Sequence, residues 1–217
     1  MINIVTVERE YGSGGGEVAA LLAKRLGWRL WDQELTEEIA RLANCPKSVV
    51  EVREEKTDPL YYRLFKSFMR GSYEGSLNAP KLKMVDSESI LKMTERVVRQ
   101  VAAVGHCVIV GRGSQHFLER QPGTLRVFLY ACRHDKVRRL IARGKTEAEA
   151  RELVDTVDQE RSDFIQKYFN VEWPARSLYH LMINTSVGED VAVETILDFM
   201  KTVESQRSQQ GVPANCA

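Results

Sequence analysis

The chain reads Gly12-Ser13-Gly14-Gly15-Gly16 between the apolar run Ile4-Val5-Thr6-Val7 and a segment, 18–26, whose apolar residues have helical spacing. The apolar run predicts a short buried strand, and the spacing predicts a helix. Glycine adopts backbone conformations that a Cβ forbids, so successive amide N–H groups can converge on one anion. The N-terminus of the following helix adds unpaired N–H donors and the positive end of its dipole. This order of elements predicts a phosphate-binding site, and residues 12–16 are named the glycine loop below.

Length and composition limit the classes of protein to which this chain can belong. At 217 residues the chain is long enough to form one substantial core. Its 31 basic and 30 acidic residues balance, so the net charge predicts no attraction to nucleic acid or anionic membranes. The sequence contains no apolar stretch long enough to cross a bilayer, no signal-peptide pattern and no Cys-x-x-Cys pair among its 4 cysteines. We therefore expect a cytoplasmic protein with small-molecule ligands and no nucleic-acid or membrane partner.

Predicted strands and helices alternate along the chain. Further short strands are expected in the apolar runs 28–31, 107–110, 126–130 and 181–183. Helices are expected at 36–43, after Asp86, at 133–143, at 146–168, and after a capping box formed by Ser186 and Glu189. Strands that alternate with helices favour an α/β fold with three layers, α/β/α, around a parallel sheet.

Two segments depart from this alternation. Residues 47–85 are rich in charged, aromatic and Met side chains, and breakers between Gly71 and Pro80 predict a helical insertion with a loose loop. After Glu204 the chain is polar and predicts a flexible tail, 205–217. The sequence therefore predicts a single domain over residues 1–204, which includes the insertion 47–85.

Charged residues follow several of the predicted strands. Asp32 follows the second strand, Arg112 the third, and the arginine-rich stretch 133–143 the fourth. Ligands of parallel α/β sheets bind beyond the carboxyl ends of the strands, and the planar guanidinium of arginine matches phosphate oxygens. The set therefore predicts a nucleotide phosphate site. Simpler interpretations remain open, because Asp32 can cap a helix and arginines can line a solvated helix face.

Five short motifs follow one another in a specific order over residues 2–200. They are Glu8-Arg9-Glu10-Tyr11-Gly12-Ser13-Gly14-Gly15 with Glu17, Trp31-Asp32-Gln33-Glu34-Leu35, Val110-Gly111-Arg112-Gly113-Ser114, Val157-Asp158-Gln159-Glu160-Arg161, and Tyr179 with Ile183-Asn184-Thr185-Ser186. In these motifs the chain resembles the cytidylate kinase-like family, relatives of the bacterial cytidylate kinases among the P-loop nucleoside monophosphate kinases.

The resemblance implies a P-loop NTPase-like fold and transfer of the γ-phosphoryl group of ATP to CMP or dCMP, with Mg²⁺ bridging the phosphates. It implies that the glycine loop and Glu17 bind the ATP phosphates. It further implies an acceptor site that includes Asp32, Arg112 and Arg53, with the insertion 47–85 closing over the monophosphate. Arg161, with Arg139 and Arg143 as further candidates, would close as a lid over the transferring group, and the lid region would comprise about residues 144–176. The adenine would be bordered by Asn184, Thr185 and Ser186.

Two positions depart from a standard P-loop. Gly15 stands where the phosphate-bridging lysine belongs, and Glu17 stands where the Mg²⁺-binding Ser or Thr belongs. A first hypothesis is that Glu17 binds Mg²⁺ itself, since carboxylates suit that ion. A second is that Arg9, at the first position of the loop, replaces the lost charge. Arg9 is therefore a catalytic candidate beside Arg112 and Arg161.

Three functional classes remain open. The first is an active nucleoside monophosphate kinase, and the second is a catalytically weak or inactive nucleotide-binding protein that regulates a partner. The third, a Rossmann-type dinucleotide enzyme, is disfavoured because the sequence lacks a G-x-G-x-x-G motif followed by a ribose-binding acid. Retention of Asp32, Arg112 and Arg161 favours the kinase. Apolar faces on the insertion and the final helix are compatible with a homodimer.

Overall fold

The computed structural model describes residues 1–42 and 87–209. The predicted insertion 47–85 with Arg53, the predicted cap Asp86 and the tail beyond Gln209 lie outside the described residues.

A five-stranded parallel sheet forms the centre of the described structure. Its strands are β1 (Ile4–Arg9), β2 (Arg29–Trp31), β3 (Cys107–Val110), β4 (Thr124–Tyr130) and β5 (Leu181–Asn184), in the spatial order β2-β3-β1-β4-β5. The central strand β1 pairs on one side with β3, in the register Val7↔Val110, and on the other with β4. This strand order differs from the order 3-2-1-4-5-6 of the Rossmann fold, which is a second observation against the dinucleotide-enzyme hypothesis.

Helices cover both faces of the sheet. They are α1 (Gly15–Leu26), α2 (Gln33–Leu42), α3 (Ser87–Val104), α4 (Ser114–Phe117), α5 (Arg133–Ala142), α6 (Glu147–Phe169) and α7 (Glu189–Gln209). Short 3₁₀ helices occupy Arg176–Leu178 and Thr185–Val187. None of the helices among residues 1–42 and 87–209 is long and apolar enough to cross a membrane.

The alternation of side chains along β1 creates two cores. Val5 and Val7 pack with α1 and α7 on one face, whereas Ile4 packs with α2, α3 and α6 on the other. Successive side chains of a strand point to opposite faces, so the apolar residues of one strand pack against two helix layers at once. The predicted three-layer α/β/α fold with a parallel sheet is confirmed.

Several element boundaries differ from the sequence-based expectations. Strand β1 continues through Glu8 and Arg9, which are both buried although charged. Helix α2 begins at Gln33 rather than Thr36. Its first turn contains too few apolar residues to show helical spacing, so the sequence pattern does not reveal it. Glu34 in that turn suits the positive end of the helix dipole.

Other differences concern the C-terminal part of the chain. The capping box predicted at Ser186 is wrong: Ser186 lies in a 3₁₀ helix, where its amide donates to the Asn184 side chain. A capping box instead opens α6, between Thr146 and Glu149. Residues 205–209, predicted to belong to the tail, are instead helical, because α7 extends to Gln209 and the Ser205 hydroxyl donates to the carbonyl of Thr202.

Candidate functional site

The glycine loop connects the carboxyl end of β1 to the first turn of α1. Gly12 and Gly14 have φ values of +75° and +79°, in the left-handed region that favours glycine. Gly14 is the N-cap residue of α1 and has no side chain to accept a bond from the first turn. The first-turn N–H groups are therefore not capped by a side chain, which is the arrangement that an anion-binding helix N-terminus requires.

Arg9 lies buried directly before the loop, with 5% of its surface exposed. Its Nη1 is 3.8 Å from Oε1 of Glu8, and its Nη2 is buried without a hydrogen-bond partner within residues 1–42 and 87–209. Burial lowers the pKa of Arg9 to about 10, and the positive charges of Arg161 and Arg112 contribute in the same direction. Three guanidinium groups therefore lie close together at this edge of the sheet, all buried.

Arg112 joins the ends of β2 and β3. Its Nη1 donates to Asp32 Oδ1 at 2.8 Å and to the Val110 carbonyl at 3.1 Å, and its Nη2 donates to the Thr36 hydroxyl at 2.8 Å. The left-handed backbone of Arg112, with φ 55°, follows Gly111 and turns the chain back at the sheet edge. Two of the three residues predicted to be acceptor contacts, Asp32 and Arg112, are thus brought together as one ion pair.

Arg161 reaches the loop from α6. Its Nη1 donates to the Arg9 carbonyl at 2.9 Å and to Asp158 Oδ1 at 3.3 Å. The same carboxylate accepts the Tyr11 amide at 2.7 Å and, through Oδ2, the Nζ of Lys136 at 3.0 Å. Lys136 also contacts Glu10, so α5, α6 and the segment before the glycine loop share one largely buried charge network, in which the two carboxylates are partly exposed.

Thr185 ties the end of β5 to the loop. Its hydroxyl donates to the Ser13 carbonyl in a short hydrogen bond and lies 3.2 Å from the Tyr130 carbonyl. Arg139 of α5 donates to the carbonyl and hydroxyl of Thr185 and lies against Gly14, where an added Cβ would be 3.5 Å from its Nε. Of the predicted adenine neighbours, Thr185 is fully buried beside the loop, Asn184 is partly buried and Ser186 is exposed.

Glu17 forms an ion pair with Arg143, the C-cap residue of α5, through a short hydrogen bond. Within residues 1–42 and 87–209, His, Cys, Asp and Glu side chains form no group of three that could hold a metal ion. A Mg²⁺ ion bound with ATP needs only one or two carboxylates, because the phosphates and water supply its other ligands. Glu17 therefore fits such an ion only when its pairing with Arg143 is released.

Several residues of this region have no role predicted from the sequence. Asp158 and Glu8 lie inside the motifs and Lys136 lies in the arginine-rich stretch, but their spacing does not indicate that they form ion pairs or hydrogen bonds in the fold. Glu8, 5% exposed, accepts a hydrogen bond from Gln115 Nε2 at 2.8 Å. The signal available in the sequence was the position of Glu8 directly after the apolar run of β1, since a buried carboxylate is rare unless it is paired.

The sheet order and the glycine loop after its first strand define a P-loop kinase-like protein. The model of the cytidylate kinase-like family matches residues 4–187, and the chain belongs to that family. The predicted family resemblance is thereby confirmed.

Solved structures show the same fold. An uncharacterized protein from Eubacterium ventriosum ATCC 27560 is 22% identical, with a TM-score of 0.67 over 93% of this chain and 99% of that one. The shikimate kinase of Bacteroides thetaiotaomicron is 15% identical, with a TM-score of 0.52 over 93% and 99% of the two chains. That of Acinetobacter baumannii, solved in complex with shikimate, is 16% identical, with a TM-score of 0.52 over 93% and 94%. Among curated proteins, no match was found.

Proposed function

We propose that this protein transfers the γ-phosphoryl group of ATP to CMP or dCMP. The observation that carries the proposal is the meeting of three buried guanidinium groups, from Arg9, Arg112 and Arg161, beside an uncapped helix N-terminus. Phosphoryl transfer needs little covalent chemistry from a protein, but it needs positioned phosphates and positive charge around the transferred group. Buried arginines stay charged at any working pH, and their planar groups match phosphate oxygens.

On the donor side, the backbone of the glycine loop would bind the ATP phosphates. Arg161 would stabilise the charge that develops on the transferred group. The adenine would lie beside the turn after β5, with Asn184, Thr185 and Ser186 at its border. Support comes from the bond of Thr185 to the Ser13 carbonyl, which fixes this turn against the loop.

On the acceptor side, Asp32 and Arg112 would act together. Arg112 keeps a fixed orientation through its bonds to Asp32 and Thr36, and a fixed guanidinium loses little entropy when it binds a phosphate. Asp32 would contact the base or sugar. Arg53, in the insertion 47–85 outside the described residues, is proposed as a further contact to the monophosphate.

Mg²⁺ bound with ATP would neutralise charge on the phosphates. Glu17, at the first turn of α1, is the residue of this chain proposed to hold it. The lid proposed for residues 144–176 includes α6, which would exclude water from the transferring group.

A second candidate function is that of a regulatory protein, which binds a nucleotide without catalysing phosphoryl transfer and regulates a partner. Two observations favour it: Gly15 replaces the loop lysine, and Glu17 is paired with Arg143 instead of facing an open position. Both candidates share the glycine loop and differ in rate. In either case we propose a cytoplasmic setting, ATP and a pyrimidine nucleoside monophosphate as ligands, and a homodimer as the assembly to test by light scattering.

The deciding experiment measures ADP release by the full chain with ATP and CMP, dCMP, UMP, AMP, shikimate or no acceptor, each with and without Mg²⁺. The proposal expects turnover with CMP and dCMP well above the other acceptors. Arg161→Gln should reduce that turnover about 10- to 100-fold, whereas Arg151→Gln, at an exposed position of α6, should not. Equal turnover with every acceptor contradicts the cytidylate assignment, and ATP binding without turnover favours the second candidate.

A further inference from the structure

The side chain of Arg9 occupies the space beside Gly15. A Cβ added to Gly15 would lie 2.6 Å from the Cβ of Arg9 and 3.0 Å from its Cγ. Real Cβ atoms essentially never approach so closely, and both atoms of Arg9 lie near the backbone, where they cannot swing away. A side chain at position 9 and a side chain at position 15 therefore exclude each other in this loop.

The far end of Arg9 lies against a second glycine. A Cβ on Gly111, at the end of β3, would collide with Nη1 of Arg9. The arginine thus runs from the start of α1 to the end of β3 in a slot that both glycines keep open. Among the residues that the structure describes, its Nη2 has no hydrogen-bond partner in this slot, an uncommon state for a buried charged group.

A standard P-loop has the opposite arrangement, with glycine at its first position and lysine at the position of Gly15. We infer that this chain has exchanged the glycine and the cation between positions 9 and 15, so that Arg9 supplies from the first position the charge that the loop lysine supplies to the ATP phosphates. The inference rests on the proposed function for the identity of the ligand. The exchange accounts for the loss of the lysine without loss of the charge.

The test is a cycle of variants in the full chain: Arg9→Gly, Gly15→Lys and the double variant with both changes. Arg9→Lys retains a cation at position 9. Arg29→Gly is the matched control, since Arg29 is also a terminal residue of a strand but is exposed and pairs with Glu34. The probe is the non-hydrolysable ATP analogue AMP-PNP with Mg²⁺, and its Kd is measured by calorimetry; turnover with CMP is scored separately.

Arg9→Gly should weaken AMP-PNP binding about 10- to 100-fold, as expected for loss of a charge-assisted contact. Gly15→Lys should weaken it at least as much or unfold the loop, because the lysine collides with Arg9. The double variant should recover to within about 5-fold of the wild type, which is strongly non-additive. Arg9→Lys should retain most of the affinity, and Arg29→Gly should be unchanged.

The inference is overturned if Arg9→Gly binds as well as Arg29→Gly, or if the losses of the two single variants simply add in the double variant. If the double variant does not fold, the comparison of Arg9→Gly with Arg9→Lys decides. Equal losses of AMP-PNP affinity in these two variants would overturn the role of the positive charge at position 9. Wild-type binding of AMP-PNP without turnover contradicts the proposed function but leaves the cycle to decide the inference. Normal turnover in Arg9→Gly contradicts the inference alone.

Discussion

The carboxylate of Asp158 accepts the backbone N–H of Tyr11 at 2.7 Å, although the two residues are 147 positions apart in the sequence. The same side chain holds Lys136 of α5 and Arg161 of its own helix. The segment proposed as a lid is therefore bonded to the base of the glycine loop through this carboxylate.

Asp158→Asn should loosen the segment before the glycine loop. The asparagine can still accept the Tyr11 N–H, but it leaves Lys136 and Arg161 with one buried negative charge fewer. Removal of one partner of a buried ion pair costs about 3 kcal/mol of unfolding free energy. Urea denaturation measures that loss, and hydrogen exchange should show faster exchange at residues 10–16.

Asp155→Asn is the control for this variant, because Asp155 lies on the same helix and pairs with Arg133 at an exposed position. Exposed pairs contribute at most about 1 kcal/mol, so its unfolding free energy should change little. Equal effects of the two variants on stability and on loop exchange would contradict the anchoring role of Asp158.

Glu17 and Arg143 should have opposite effects on the Mg²⁺ requirement. If Glu17 holds the ion, Glu17→Gln should raise the Mg²⁺ concentration for half-maximal AMP-PNP binding roughly tenfold, since one charge-assisted contact is lost. Arg143→Gln releases the carboxylate and should lower that concentration. Titration of Mg²⁺ at fixed AMP-PNP concentration measures both shifts.

The control pair is Glu147 and Arg151, which form an exposed ion pair within α6. Glu147→Gln and Arg151→Gln remove the same charges without touching the loop, so neither should shift the Mg²⁺ requirement. A shift in the same direction for Glu17→Gln and Arg143→Gln would mean that the ion pair itself, and not the free carboxylate, supports binding.

The bounds of strands and helices were predicted best where the apolar pattern alone determines the element. Strand β3 was predicted at its observed bounds, because a strand buried on both faces reads as an unbroken apolar run. Strand β1 was predicted two residues short, because Glu8 and Arg9 are polar and only their tertiary partners make them part of a buried strand. The capping box at Thr146 was readable from its Thr-x-x-Glu pattern, although the sequence analysis assigned one only at Ser186.

For the candidate site, the sequence predicted its position at the sheet edge but not the contacts between its side chains. The ends of parallel strands meet at one edge, so Asp32 and Arg112 were expected at that edge together with the glycine loop. Their direct pairing depends on the left-handed backbone of Arg112, and the role of Asp158 depends on which side of α6 faces the loop. Neither the backbone turn nor the helix rotation follows from residue spacing.

Thr185→Val should destabilise the protein more than its small change in shape suggests. The variant keeps the volume of a fully buried residue but removes the hydroxyl that bonds Ser13 and accepts from Arg139. A buried carbonyl and a guanidinium N–H are left short of a partner, which costs about 1–3 kcal/mol. The free energy from urea denaturation should fall by that amount, whereas Thr195→Val, at an exposed position of α7, should change it little. Equal stability of the two variants would mean that the loop finds another partner.

His116 should make the protein less stable in mild acid. Its ring stacks on Phe169 with centroids 4.3 Å apart, and its buried Nε2 has no hydrogen-bond partner in the described part of the chain. Burial lowers the pKa of His116 below its ordinary value of 6.5, and the negative charges of Glu8 and Glu119 only partly oppose this.

The unfolded chain therefore takes up the proton first as the pH falls, so the contribution of His116 is complete above about pH 6.5 and is lost below it. His116→Phe preserves the stacking and removes the titration, so its unfolding free energy should fall less than that of the wild type between pH 7.5 and pH 5. His134→Gln, which changes an exposed histidine, should follow the wild-type curve. Urea denaturation at intervals of half a pH unit measures the three curves, and parallel curves for His116→Phe and the wild type would show that other groups cause the acid sensitivity.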